Sequence, residues 1–342
     1  MGSHSARKQC NVELGIKFME SALENCSHLK QEPLIYKYEL ANCYCMKLDW
    51  KNAVSQFTPL IKEEKFQVRI ICALQLAGAL AMTGETQKAQ ELYVQLQGWQ
   101  GKKSQFDQTA QRQAKRYVAN GGYFSAFELL YLRRDLAKMI PIMTRVLDSL
   151  EEVAVKCKAN EKKQIVAQKP ASGLGKLAKF GAGLGSKIPF AKKKDADYQY
   201  DDRASYLLLK GSMLKALTKY EEAVQCYREV IDELNDVLVE KMFVPYCCYE
   251  LGECYYIMGK LKEAEDYFKK CGKFSGYDWE DPLRVRLKVT FDQLKKGERA
   301  SAPPSLDQLA DKLSETKIDD KEIDESQLED EDLEPEFKEE DN

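Results

Sequence analysis

Three kinds of residue cluster in this chain could do chemistry. Cys247, Cys248 and Cys254 lie within eight residues of one another, and Cys43 and Cys45 lie two apart. Thiolates at such spacings can ligate zinc, but a structural site needs a second ligand pair, and none follows at zinc spacing. On a helix, Cys43 and Cys45 also point to different faces. The chain has only two histidines, His4 and His28, so no serine–histidine–acid set assembles. The stretch "GAGLGSK" (181–187) inverts the Gly-Lys-Ser/Thr order that a phosphate loop needs. These residues predict no catalytic centre, no metal site and no cofactor. The eleven cysteines are odd in number and sit among apolar residues, as Cys72, Cys226 and Cys271 do. They read as small core hydrophobes of a reduced, cytoplasmic protein.

What remains is binding chemistry, and it comes from the elements that would position it. In "YELGECYYIMGKLKEAEDYF" (249–268), Gly252 and Ala264 are small residues twelve apart. The same spacing joins Gly211 to Ala223, Ala77 to Ala89 and Ala41 to Ala53. In each case an apolar residue follows the first by three (Tyr255, Leu214, Leu80, Tyr44). An aromatic follows the second by four (Phe268, Tyr227, Tyr93, Phe57). Turn signals such as "TGE" and "MGK" lie between. Small residues let two helix backbones approach, and a large side chain there would hold them apart. Such a pattern belongs to a helical-hairpin repeat of about 34 residues, the tetratricopeptide repeat. The repeats begin near residues 34, 70, 204 and 245. The last two are 41 apart, which predicts that the third repeat's second helix extends through "NDVLVEKM".

The expected fold is therefore all-α, a tetratricopeptide-like solenoid. Residues 1–6 are read as a cloning scar and set aside. Residues 7–101 carry N-terminal repeat-like helices, with 10–30 as the second helix of an incomplete repeat. Residues 102–156 hold helices outside the pattern, "SQFDQTAQRQAKRYV", "YFSAFELLYLRRDLAKM" and one starting at Pro141. Residues 204–297 carry the last two repeats and a capping helix. Asp281 and Pro282 are expected to open that helix and Gly297 to end it, with Leu283, Leu287, Phe291 and Leu294 on one face.

The net charge of −3 conceals two opposed blocks. Residues 157–203 form a basic, Gly-rich insert predicted to be disordered. Lys156 to Lys194 alone holds eleven lysines against Glu161. Residues 298–342 form an acidic tail with the same prediction. From Asp311 to Asn342 it carries sixteen carboxylates against four lysines.

The stretches "YKYELANCYC" with "LDWKNAV", "AKRYV" with "AFELLYL", "LLLKGSMLKALTKYEEAVQCYREVI" and "FVPYCCYELGECYYIMGKLKEAEDYF" resemble successive signatures of the tetratricopeptide repeat protein 39 family. That family is related to the fungal inclusion-body clearance protein. The resemblance covers roughly residues 10–297 and fits a fragment or short form that begins mid-array. It departs from the pattern in lacking a Trp beside the first repeat's first helix and in carrying the insert and the tail. It implies a non-enzymatic adaptor with roles in lipid homeostasis and protein turnover or inclusion clearance.

In such a superhelix, positions 2, 5, 9 and 12 of each repeat's first helix face the concave groove. These are Tyr246, Tyr249, Glu253 and Tyr256 in the fourth repeat, and Ser205, Leu208, Ser212 and Lys215 in the third. In the first they are Ile35, Tyr38, Asn42 and Cys45. The expected groove residues are Tyr38, Asn42, Leu208, Ser212, Tyr246, Tyr249, Glu253 and Tyr256, an aromatic stripe suited to a peptide. The alternative is that these tyrosines pack against the terminal helix or the insert. Position 5 holds no cation, which argues against a clamp for chaperone C-termini. The second candidate is the insert, where Lys176, Lys179, Lys187, Lys192, Lys193 and Lys194 could meet an anionic membrane, a lipid-droplet surface or an acidic partner. Five glycines between Gly173 and Gly185 cost roughly 5 kcal/mol of helicity there. The tail could pair with the insert and compete with such a surface. No nucleic-acid partner is expected, because aromatics in the insert are few.

Overall fold

In a computed structural model, residues 12–26, 34–99, 105–168 and 199–295 are described. They form thirteen α-helices and no strand. Helix α1 is Val12–Asn25, α2 Leu34–Met46, α3 Trp50–Leu60, α4 Arg69–Met82, α5 Thr86–Gly98 and α6 Gln105–Asn120. Then come α7 Ser125–Leu132, α8 Met143–Gln168, α9 Gln199–Ala216, α10 Tyr220–Arg228, α11 Phe243–Ile257, α12 Leu261–Cys271 and α13 Glu280–Lys295. The hairpins α2/α3, α4/α5, α9/α10 and α11/α12 are the four repeats, and each packs on its neighbour.

All eight small residues are buried. The two glycines show why the spacing holds. A Cβ on Gly211 would lie 2.6 Å from the Tyr227 ring, and one on Gly252 would lie 2.6 Å from the Phe268 ring. The aromatic four residues past the second small residue therefore covers the first helix where a side chain is missing. Phe57 and Tyr93 are fully buried at the corresponding positions.

Each hairpin turns through one left-handed residue: Leu48, Gly84, Thr218 and Gly259, with φ between 60° and 88°. The amide after it closes on a carbonyl five residues back, as Lys260 N does on Tyr255 O at 2.8 Å. This is the Schellman closure of a helix C-terminus. Helix α7 ends the same way. Arg134 has φ 62°, and Asp135 N donates to Leu130 O at 2.9 Å.

Helix α7 is where the fold leaves the simple solenoid. All eight of its residues are buried, as suits a largely apolar helix. It lies against α4 at Gly78, where a Cβ would come within 3.1 Å of Ala126 N. Its three polar side chains are each satisfied by a different helix. Ser125 shares a 2.6 Å hydrogen bond with Tyr93 of α5, and Tyr131 donates to Glu250 of α11 at 2.7 Å. Glu128 accepts from Arg116 and Tyr117 of α6 and from Ser205 of α9. Buried polar groups without such partners would each cost about 1–3 kcal/mol.

Several expectations need correction. "NDVLVEKM" is not helical. Helix α10 passes into a π-helix, Glu229–Leu234, and the chain then folds back so that Val239 N and Glu240 N donate to Asp201, each at 3.1 Å. "YFSAFELLYLRRDLAKM" is not one helix, because the turn at Arg134 ends α7 and two short 3-10 turns around Pro141 lead into α8. Helix extends to Gln168 and resumes at Gln199, so parts of 157–203 assigned to the insert are helical. Helix α13 opens at Glu280, one residue before Asp281, with Leu283 and Leu287 buried and Phe291 and Leu294 half-buried on its inner face. Residues 1–11, 169–198 and 296–342 lie outside the described residues, and with them the predicted disorder of the insert and tail.

Candidate functional site

Most of the expected groove is filled from within. Tyr246 is 2% exposed; its hydroxyl donates to Trp279 O at 2.9 Å, and its ring meets Tyr131 edge-on. Tyr249 is 4% exposed, hydrogen-bonds Thr290 of α13 at 3.0 Å and packs on Phe268. Burial drives both phenol pKa values up, Tyr249 to about 12. Leu208 is buried, and Asn42 is buried with its Oδ1 accepting from Gln75 Nε2 at 2.9 Å. Tyr38 is half-buried between Phe57 and Phe66 and accepts from Arg133 Nη1 at 2.8 Å. Buried or half-buried among neighbouring side chains, these five residues offer little open surface.

The second half of each helix in the C-terminal repeats behaves differently. Positions 9 and 12 of the third repeat (Ser212, Lys215) and of the fourth (Glu253, Tyr256) converge on one open cleft of about 300 Å³. Arg286, Thr290 and Gln293 of α13 form one wall, and Arg134, Leu136, Ala137 and Ile140 form the opposite lip. Of the eight groove residues expected from sequence, Ser212, Glu253 and Tyr256 line this cleft.

Its base is a charge network. Glu250, 3% exposed at its side chain, is shared by Lys215 and by Arg286 Nη2, the latter at 2.8 Å, and also accepts from Tyr131. Lys215 also reaches Glu253, and the Arg286 guanidinium stacks 4.3 Å above the Tyr249 ring. Burial raises the Glu250 pKa, but Lys215 and Arg286 outweigh it and hold the carboxyl well below the usual range. Burial likewise works against the Lys215 ammonium, and Glu250 and Glu253 overcome it. Arg286, Glu250, Tyr131 and Arg134 were not among the expected site residues. Lys215 was legible as position 12. Arg134 becomes legible by aligning its turn with Gly84 and Gly259.

The buried cysteines offer no activated thiol. Burial pushes Cys45, Cys248, Cys254 and Cys271 up to about 12, and Cys226 to about 11. Thiols so shifted stay protonated at neutral pH and are poor nucleophiles. Among the described residues no cluster of metal-ligating side chains occurs and no helix is long and apolar enough to cross a membrane. The insert lysines 176, 179, 187, 192, 193 and 194 lie outside the described residues.

Comparison with known families agrees with this architecture. A tetratricopeptide repeat model matches residues 204–233 and 245–273, which are α9/α10 and α11/α12. Repeats of this type generally bind protein partners. The Iml2/Tetratricopeptide repeat protein 39 model matches residues 2–172, half of the chain. The chain therefore belongs to the Iml2/Tetratricopeptide repeat protein 39 family.

Proposed function

We propose that this protein is a non-enzymatic interaction adaptor whose receiving surface is the cleft between α9, α11, α13 and the turn after α7. One observation carries the reading. Groove positions 9 and 12 of two adjacent repeats meet there, and they line an open cleft while the neighbouring positions 2 and 5 are filled by the chain itself. A volume of about 300 Å³ sits at the lower end of ligand-pocket sizes and suits two or three side chains of a partner peptide. Its apolar lip above a base of fixed charges fits anchor-and-orient recognition. Roles in lipid homeostasis or in protein turnover and inclusion clearance are the biology we assign to the adaptor on family grounds. A peripheral-membrane role for residues 170–194 rests on the charge of that stretch alone; liposome flotation of wild type against a 170–194 deletion separates it from the adaptor reading.

Proximity labelling by the intact protein, repeated with Tyr256→Ala and with Ser212→Arg, tests the adaptor reading. Both variants should keep wild-type circular dichroism and lose the same set of labelled proteins. An unchanged set in both would reject this cleft as the docking site. Tyr249→Ala, by contrast, removes a buried ring and should lower stability by about 3–5 kcal/mol, so it is unsuitable as a binding probe.

A further inference from the structure

The cleft is positive, and one of its charges is unspent. Two buried carboxylates are each shared by two cations. Glu250 serves Lys215 and Arg286, and Asp135, in the adjoining turn, serves Arg133 and Lys138. The cleft itself is lined by three cations, Arg134, Lys215 and Arg286, against two carboxylates, Glu250 and Glu253. Arg134 is exposed, lines the cleft and makes no ion pair among the described residues. It also holds φ 62°, a left-handed conformation that two of the sister turns give to glycine.

We propose that this cleft is the docking site of the chain's own acidic segment, residues 311–342, so that a partner must displace it. The inference rests on the adaptor reading of the same cleft and adds its regulation. Charge complementarity is the first argument. The segment carries sixteen carboxylates, and Ile318, Ile323, Leu328 and Leu333 recur every five residues among them, giving apolar anchors for the lip residues Leu136, Ala137 and Ile140 and for Ile257. Position is the second. The segment leaves from α13, and Gln293 of α13 is itself a wall of the cleft. The intervening residues 296–310 span up to about 50 Å when extended, well beyond the distance needed to return to that wall. Tethering of this kind gives effective concentrations on the order of millimolar, so even a weak contact is populated. A carboxylate on Arg134 would remove the one unpaired charge at the lip.

The test uses the full chain with benzoylphenylalanine replacing Ala137, which is exposed at the lip. On irradiation, cross-links should map to residues 311–342. They should fall at least about fivefold in 0.5 M NaCl, because exposed pairs are screened, and by a similar factor when Arg134→Gly is added. In an equimolar mixture of isotopically light and heavy chains they should join only like with like. Cross-links absent from the segment, undiminished by Arg134→Gly, or formed between unlike chains would each overturn the proposal. The adaptor reading has a separate fate. Partner labelling that still depends on Tyr256 with no segment cross-link sinks only the proposal, and segment cross-links with Tyr256-independent labelling sink only the adaptor site.

Discussion

The Phe268 ring lies so close to Gly252 that a methyl carbon on the glycine would stand 2.6 Å from Cε1. This contact decides the sign of a simple substitution. Gly252→Ala gains about 1 kcal/mol of helix propensity, but the ring cannot retreat, since it is fully buried and packs on Tyr249 and Phe291. Overpacking of this kind costs about 1–3 kcal/mol. Chemical denaturation should show Gly252→Ala less stable than wild type, and Gly252→Ala/Phe268→Leu should recover part of the loss. An alanine variant as stable as wild type would show that the ring does not lock the hairpin.

That contact also explains what could be read from the sequence. Close approach needs small residues at fixed distances, so Ala41/Ala53, Ala77/Ala89, Gly211/Ala223 and Gly252/Ala264 expose the hairpins directly. Helix α7 carries a weaker sign. "SAFELLYL" is largely apolar, which favours burial, but no spacing rule says where. Tyr246 meets α7 through Tyr131, Tyr249 packs on Phe268 and α13, and Tyr38 is half-buried between Phe57 and Phe66, so the stripe that looks ready to bind in sequence is taken up by packing within the chain. Glu253, Ser212 and Tyr256 line the open cleft instead. The end of α10 departs from the expected helix for another reason: the π-helix and the Asp201-capped return have no periodicity to betray them.

Glu250 is expected to be the most sensitive charged residue in the C-terminal half. Glu250→Gln leaves Lys215 and Arg286, 17% and 15% exposed, with only Glu253 between them. Removing one partner of a buried ion pair typically costs about 3–5 kcal/mol. The folded-state pKa of Glu250 is depressed, so its contribution is present above the ordinary glutamate value and fades as pH falls through the lower, folded one. Below about pH 4 the wild type should lose stability faster than Glu250→Gln, and urea titrations at pH 3 and pH 7 should show the gap closing. A constant gap would mean that the carboxylate charge contributes nothing.

Asp201 works in the opposite direction. Burial raises its carboxyl from the usual range to about 7, against the hydrogen bonds from Val239 N and Glu240 N that favour the charged form. A carboxyl with a raised folded pKa contributes stability that is fully present below its unfolded value, near 4, and is lost as pH rises through about 7. Asp201→Asn can still accept both amide hydrogen bonds and has no such titration. Its unfolding free energy should be flatter than that of wild type between pH 4.5 and 7.5, with the variant gaining relative stability at the upper end. Parallel curves would place the titration elsewhere.

Arg134 is expected to join stability and binding in opposition. Its left-handed backbone is unfavourable for any residue with a Cβ, at roughly 1 kcal/mol, whereas Gly84 and Gly259 occupy the matching turns without that cost. Its side chain forms no ion pair among the described residues that would compensate. Arg134→Gly should therefore raise the unfolding free energy by about 1 kcal/mol, and Thr218→Gly, with φ 62° at the same point of the third hairpin, should give a similar gain. The two variants should part in function: only Arg134→Gly removes the unpaired cation of the cleft and so should release the acidic segment. Denaturation curves with equal gains, beside segment cross-linking retained in Thr218→Gly and lost in Arg134→Gly, would show that the arginine is kept at this turn for its charge. Equal cross-linking in both would leave the strain at Arg134 without a binding role.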